Sequence, residues 1–234
     1  MSARESHWQS TEREWAQRTE VVGGQKLTRP SGEQVREAFD AEPLSTPRIP
    51  RFISRSEWRA AAPTQIDTTH FWPEWGGVAI HYEGGGKEMR PQHTPDTALP
   101  HFDDCYFQVR RIQHVHQHPL PLVGGERYWD IAYNYLVCHH GYTFVGRGIG
   151  SQPGANGSQW HNERYYAICG LIGSDDPQPS QAMLDEIKAV ADWVRTYDQA
   201  GAHVKGRHVK GHRDFIKTEC PGQLYSYIGK GTFD

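Results

Sequence analysis

The chain has 234 residues, of which 36% are hydrophobic, 12% aromatic and 23% charged, enough apolar mass for one good core with room for an appendage. With 25 basic against 28 acidic side chains and a formal charge of -3, it lacks the bulk electrostatics of a nucleic-acid binder or of a protein held on an anionic membrane. Mean hydropathy is -0.75 and no apolar run approaches the roughly 20 residues that span a bilayer, so a soluble monomer with no membrane or nucleic-acid partner is expected.

The first eight residues, Met1 to Trp8, are polar and charged, where a secretory signal would need an apolar stretch of about 7–15 residues. The expectation is synthesis in the cytoplasm. Residues 1–50 read as an N-terminal helical and Pro-rich appendage to a main domain over 51–234. Ser31-Gly32-Glu33-Gln34 has capping-box spacing and predicts a short helix through Phe39, while Pro43, Pro47 and Pro50 close the segment. Trp8 and Trp15 lie seven apart and could share one helix face.

Phe52 to Trp58 opens the main domain. Gly77-Val78-Ala79-Ile80-His81-Tyr82 is a nearly unbroken apolar run, which predicts a strand covered on both faces. Phe102, Cys105, Tyr106, Val109, Ile112 and His116 recur at helical spacing and predict an amphipathic helix over about 101–117. Residues 133–138 and 142–145 flank His139-His140-Gly141 as a hairpin, with both histidines expected on a solvent-facing turn. Tyr166 to Ile172 reads as another buried strand. Met183, Leu184, Ile187, Val190, Ala191 and Val194 give a helix opened by Pro179-Ser180. The order of strand, helix, hairpin, strand and helix predicts an α/β fold, a mixed central β-sheet flanked by helices.

Four cysteines are too few for a disulfide scaffold in a chain of this length. Cys138 and Cys169 fall in apolar runs and Cys105 on the first helix, so all three read as small core residues. Cys220 does not fit that description. It sits in Thr218-Glu219-Cys220-Pro221-Gly222, eight residues after His212 in Gly211-His212-Arg213-Asp214. With His81 at the end of its strand, where α/β sheets commonly hold their sites, the chain offers two imidazoles and one thiolate. A catalytic zinc ion accepts that set while keeping a fourth position for water. Alone, a histidine on an apolar strand is more often a satisfied core or surface group, and the eight-residue spacing is not a standard zinc pattern. His114, His116 and His118 cannot form one three-ligand face on a helix and read as structural.

Seven blocks, in order, carry a family resemblance: Ile53-Ser54-Arg55-Ser56-Glu57-Trp58, Val78-Ala79-Ile80-His81, Val109-Arg110-Arg111-Ile112-Gln113, Trp129 to Tyr135, Gly146-Arg147-Gly148, Gly211 to Asp214 and Thr218 to Gly222. In these, from about Ile53 to Gly222, the chain resembles the zinc-dependent N-acetylmuramoyl-L-alanine amidases (amidase type 2) of the peptidoglycan recognition protein and phage amidase superfamily. The resemblance implies a peptidoglycan recognition protein-like fold and one catalytic Zn2+ held by His81, His212 and Cys220. It also implies assistance to catalysis by Tyr133 and Thr218, and peptidoglycan as the partner. The reaction implied is cleavage of the amide between the N-acetylmuramic acid lactyl group and the L-alanine of the stem peptide. A phage endolysin, bacteriolytic and acting on the cell wall after release at lysis, suits the polar N-terminus.

The residue chemistry permits that reaction independently. Zinc acidifies bound water and polarises a carbonyl, while the oxyanion needs a further donor such as the phenol of Tyr133 or the hydroxyl of Thr218. Neighbours in an extended segment point to opposite sides, so only one of Lys217 and Thr218 faces the metal, and Thr218 is the choice. Glu83 could accept a proton or support His81, although relatives place a small polar residue there. Asn156 stands where many relatives have a groove-lining histidine, and Val145 replaces a common acidic residue before Gly146-Arg147. Glu83, Asn156, Trp160 and Arg147 are candidates for substrate binding. Two alternatives stay open: a cytosolic amidase that trims recycled muropeptides, and a peptidoglycan-binding module that does not cut, in which the cysteine ligand is typically replaced.

Overall fold

The structure is a computed structural model, and it describes residues 49–65, 76–84, 102–119, 127–174, 178–196 and 208–233. The helix expected from Ser31 and the tryptophans of the N-terminal appendage lie outside the described residues. Six strands form one sheet in the order β1-β4-β3-β5-β2-β6, where β1 is Phe52–Ile53, β2 Gly77–Tyr82, β3 Tyr135–Val137, β4 Thr143–Val145, β5 Tyr165–Gly170 and β6 His208–Gly211. Only the β3–β4 hairpin pairs antiparallel; β1 with β4, β3 with β5, β5 with β2 and β2 with β6 are parallel. The α/β class with a mixed sheet is therefore the observed one.

The two faces of the sheet hold two apolar clusters because alternate strand residues point to opposite sides. Val78, Ile80, Tyr135, Tyr166 and Ile168 face helix α3 (Gln181–Thr196), which contributes Met183, Ile187, Val190 and Val194, all fully buried. Leu136 and Cys169 face the other way, against Cys105, Tyr106, Val109 and Ile112 of helix α1 (Phe102–Gln117). Each such side chain contributes about 1.5–3 kcal/mol on leaving water. Ser180 caps α3 by accepting a hydrogen bond from the Met183 amide at 3.1 Å. Two short α-helices, α2 (Gln159–Asn162) and α4 (Tyr225–Gly229), and two 3-10 turns, His212–Asp214 and Gly222–Leu224, complete the described elements.

The loop ahead of β3 is fixed by a buried ion pair. Arg55 and Asp130 meet at 3.0 Å with side chains 6% and 1% exposed. Arg55 Nη1 also donates to the Gly146 carbonyl at 2.6 Å, and Gln113 Nε2 of α1 donates to Asp130 at 2.6 Å. One carboxylate thus ties the first strand's exit, α1 and residues 130–131 together, as a buried charge requires.

His139 and His140 depart from expectation: both are buried, at 2% and 6% exposure, instead of facing solvent. The start of α3 covers the turn, with the Ser180 hydroxyl donating to the His139 carbonyl and the Phe102 ring lying 5.4 Å from that of His140. Gly141 at φ +72 lets this cover close down, since a Cβ there would stand 2.9 Å from the Ala182 carbonyl oxygen.

Candidate metal centre

The parallel register of β2 and β6 brings two ligand candidates side by side. Ile80 pairs with Gly211, so His81 on β2 and His212, the first residue after β6, lie at the same end of the sheet, with ring centroids 4.6 Å apart. Cys220 arrives on the loop after β6, and its Sγ lies 3.6 Å from His81 Nδ1. The ligand atoms of His81, His212 and Cys220 all fall within 4.8 Å of one another. Tetrahedral zinc with bonds of about 2.0–2.3 Å separates such donors by about 3.5 Å, so the set fits the ion. His212 Nε2 is buried without a hydrogen-bond partner, an unsatisfied group beside the cluster.

Burial holds the two imidazoles, but not the thiol, in their ligating forms. Burial pushes the His81 imidazole down to about 3, helped by His212, and burial followed by His161 lowers that of His212. Both rings are thus neutral near pH 7 with a lone pair available. Burial pushes the Cys220 thiol up to about 12 even though the Tyr82 amide and Arg213 oppose it. The Tyr82 amide donates to Cys220 Sγ at 3.4 Å. The thiolate therefore needs a cation beside it, which is what a ligating cysteine gains from a metal.

Asn156 lies 2.9 Å through Oδ1 from His81 Nε2, on the opposite side of the ring from Cys220. Its amide nitrogen donates to the Tyr165 carbonyl at 2.8 Å, which orients Oδ1 as the acceptor and leaves His81 Nδ1 as the lone-pair nitrogen. Expected to line a substrate groove, Asn156 is instead fully buried. The short bifacial amide fills the space behind the ring and so replaces groove exposure by support of the histidine.

Tyr133, just ahead of β3, packs its ring 5.4 Å from that of His81. Burial raises its phenol well above the usual range, and Cys169, Cys220 and Glu83 add to this by opposing a phenolate. It stays a neutral donor. Thr218 is half-buried and its Oγ1 accepts from the Cys220 amide at 3.3 Å, whereas Lys217 is exposed.

Of the three further candidates, Glu83 and Arg147 are held inward and Trp160 is exposed. Glu83 is tied to α1 by Gln108 and Arg111, which leaves its side chain 6% exposed; it still lines a cleft of about 130 Å³ with Tyr133 and His116. Arg147 is turned inward, donating to the Ile131 and Gln152 carbonyls at 2.8 and 2.7 Å and lying 4.1 Å over the Trp129 ring. These contacts make it a brace for the Tyr133 loop. Trp160, on α2, is 55% exposed with the Arg164 guanidinium 4.2 Å over its ring, and its neighbour His161 stacks on Phe215 at 4.3 Å.

Two contributors were not read from the sequence. The Tyr82 amide is a backbone group with no side-chain signal. Gly157 adjoins the metal cluster, since a Cβ on it would stand 3.2 Å from His212 Nε2; the Asn156-Gly157 pair, a common turn dipeptide, was the available sign.

No family model matches the chain. It is 28% identical over 177 residues to peptidoglycan recognition protein 1 of Mus musculus, covering 75% of this chain and 85% of that protein. It is 29% identical over 160 residues to a peptidoglycan recognition protein of Trichoplusia ni, covering 66% and 82%. Against the N-acetylmuramoyl-L-alanine amidase of Sus scrofa it is 31% identical over 159 residues, 63% of this chain but 24% of that protein. Among solved structures, Drosophila peptidoglycan recognition protein SD matches with a TM-score of 0.61 at 22% identity, covering 78% of this chain and 95% of the other. Human PGRP-IBETAC, in complex with glycosamyl muramyl pentapeptide, matches with a TM-score of 0.56 at 22% identity over 76% and 94%. The fold is thus peptidoglycan recognition protein-like, and the relatives are peptidoglycan recognition proteins and N-acetylmuramoyl-L-alanine amidases.

Proposed function

We propose that the chain is a zinc-dependent N-acetylmuramoyl-L-alanine amidase that cuts the bond between the muramic lactyl group and the first L-alanine of peptidoglycan. The observation that carries this reading is the gathering of His81, His212 and Cys220 within 4.8 Å, beside a buried phenol. Relatives named amidases, and a like-folded protein in complex with a muramyl pentapeptide, support the substrate class.

His81 through Nδ1, His212 through a ring nitrogen and Cys220 through Sγ would hold the ion. When bound, zinc supplies Lewis-acid polarisation of the scissile carbonyl and a water acidified to near neutrality. Asn156 keeps the His81 tautomer that leaves Nδ1 free. Tyr133, neutral across the working pH range, offers its O–H to the oxygen that gains charge as the amide carbon becomes tetrahedral. Thr218 holds the Cys220 loop through the Cys220 amide and keeps its own hydroxyl proton for a second contact. Glu83, neutralised by Arg111, sets the charge of the cleft wall beside Tyr133.

The deciding experiment combines zinc stoichiometry with detection of new L-alanine amino termini from purified peptidoglycan. Cys220→Ala should lose both zinc and release; full release by that variant would end the proposal. Wall binding without release by the zinc-loaded wild type would instead establish a recognition module. The setting we propose, carried by the sequence resemblance, is a phage endolysin: clearing of intact walls fits it, and activity confined to small soluble fragments would point to muropeptide recycling.

A further inference from the structure

We propose that Cys105, Cys138 and His140 form a second metal site, separate from the His81 cluster, for a soft thiophilic cation that ties α1 to the β3–β4 turn. Their ligand atoms also lie within 4.8 Å of one another. Cys105 Sγ stands 3.4 Å from His140 Nδ1, the separation of about 3.5 Å that thiolate and imidazole adopt on tetrahedral zinc. Both cysteines are free thiols. The three residues are 1%, 0% and 6% exposed, which keeps substrate away from an ion held there.

The backbone presents these donors in a fixed arrangement. Cys105 lies in the first turn of α1, and Cys138 and His140 lie on a turn closed by the Gly141 amide on the Cys138 carbonyl and the Cys138 amide on the Tyr142 carbonyl, each at 3.0 Å. Ser180 clamps the same turn from α3. Phe102 covers it, its ring 5.4 Å from His140 and 5.0 Å from Tyr142. In so apolar a setting an isolated thiolate is costly, but two thiolates and a neutral imidazole around a divalent ion sum to zero charge. Paired thiolates with imidazole select zinc or copper(I) among biological metals.

The test uses the whole reduced protein, stripped with chelator and titrated with Zn2+ and, in an anaerobic arm, with Cu+. The wild type should take up two equivalents of zinc, or one of zinc and one of copper(I), and Cys220→Ala should keep one. Cobalt in place of zinc gives thiolate charge-transfer absorption in proportion to its sulfur bonds, so Cys220→Ala should retain about two-thirds of it and Cys105→Ser/Cys138→Ser about one-third. His140→Gln should weaken the second equivalent at least tenfold. A single equivalent in wild type that vanishes with Cys220→Ala would overturn the proposal, as would a Cys105–Cys138 disulfide mapped in protein isolated without reductant that then binds no second ion. Should the double serine variant not fold, the Cys220→Ala titration decides alone, because it leaves the second cluster untouched. A chain without amidase activity whose second equivalent survives Cys220→Ala would still support it, so the two proposals fail separately.

Discussion

Asn156 Oδ1 and Cys220 Sγ approach the His81 ring from opposite nitrogens, at 2.9 and 3.6 Å. The ring therefore has one nitrogen assigned to protein support and the other to a ligand. Asn156→Leu removes the acceptor while filling its volume, and zinc affinity is expected to fall about 10–100-fold, the usual effect of losing such support. Competition against a chromophoric chelator measures it; unchanged affinity would reduce Asn156 to a space filler.

For Tyr133→Phe, zinc content is expected to stay at the wild-type level while turnover drops by about 10²–10³, the effect of removing one oxyanion donor. Because burial and its neighbours raise the phenol well above its ordinary range, wild-type activity should show no alkaline limb from this residue below about pH 10. Rate profiles of both proteins against pH check the pair of expectations.

Acid should unfold the metal-free protein early. Burial holds His81 down at about 3 and His116 at about 4, against 6.5 for ordinary histidine. The unfolded chain therefore binds more protons below pH 6.5, so this stability is present above pH 6.5 and is lost as pH falls through that window. The loss by pH 4 is on the order of several kcal/mol. Denaturant melts of chelated protein at pH 7, 5 and 4 measure it, and a flat profile would contradict it.

Gly157→Ala places a Cβ 2.8 Å from Ile216 Cδ1 and 3.2 Å from His212 Nε2, at a φ of +81. A cost of about 1–2 kcal/mol is expected from the backbone alone, together with weaker zinc binding. Gly229→Ala is the control: nothing lies within 4 Å of its added carbon, and in a helix it should be neutral or stabilise by about 0.5–1 kcal/mol. Thermal melts with and without zinc separate the two.

Arg55→Met strands the Asp130 carboxylate, which is fully buried. Breaking one partner of such a pair costs about 3–5 kcal/mol, and because Asp130 also organises the loop that carries Tyr133, activity should fall more than zinc content. Denaturation midpoints alongside turnover provide the comparison.

The elements legible in the sequence are those whose apolar residues repeat: β2 matches the run Gly77–Tyr82, and α1 begins one residue after the expected 101. β6 gave no such signal, since His208 is exposed and Val209 and Lys210 half-buried; its place is decided by pairing with β2, a tertiary fact. The approach of His81, His212 and Cys220 could be named from residue types, whereas the contact between Asn156 and His81 could not, because a buried amide and a solvent-lining one look alike in a sequence. The covered turn at His139 and His140 failed for the same reason: only α3 docking decides which side is wet. Cys105, Cys138 and His140 were each read singly as packing or turn residues, and their convergence depends on how α1 lies across the sheet.

The pairing of Ile80 with Gly211 also sets a time order on biosynthesis. An emerging polypeptide that has exposed β2 carries His81 without His212 or Cys220, and this cluster cannot close until β6 and the following loop leave the ribosome and dock. Assembly of the three-donor cluster is thereby postponed to the final moments of translation, and any nonsense mutation upstream of residue 208 yields a product that lacks two of its three donors.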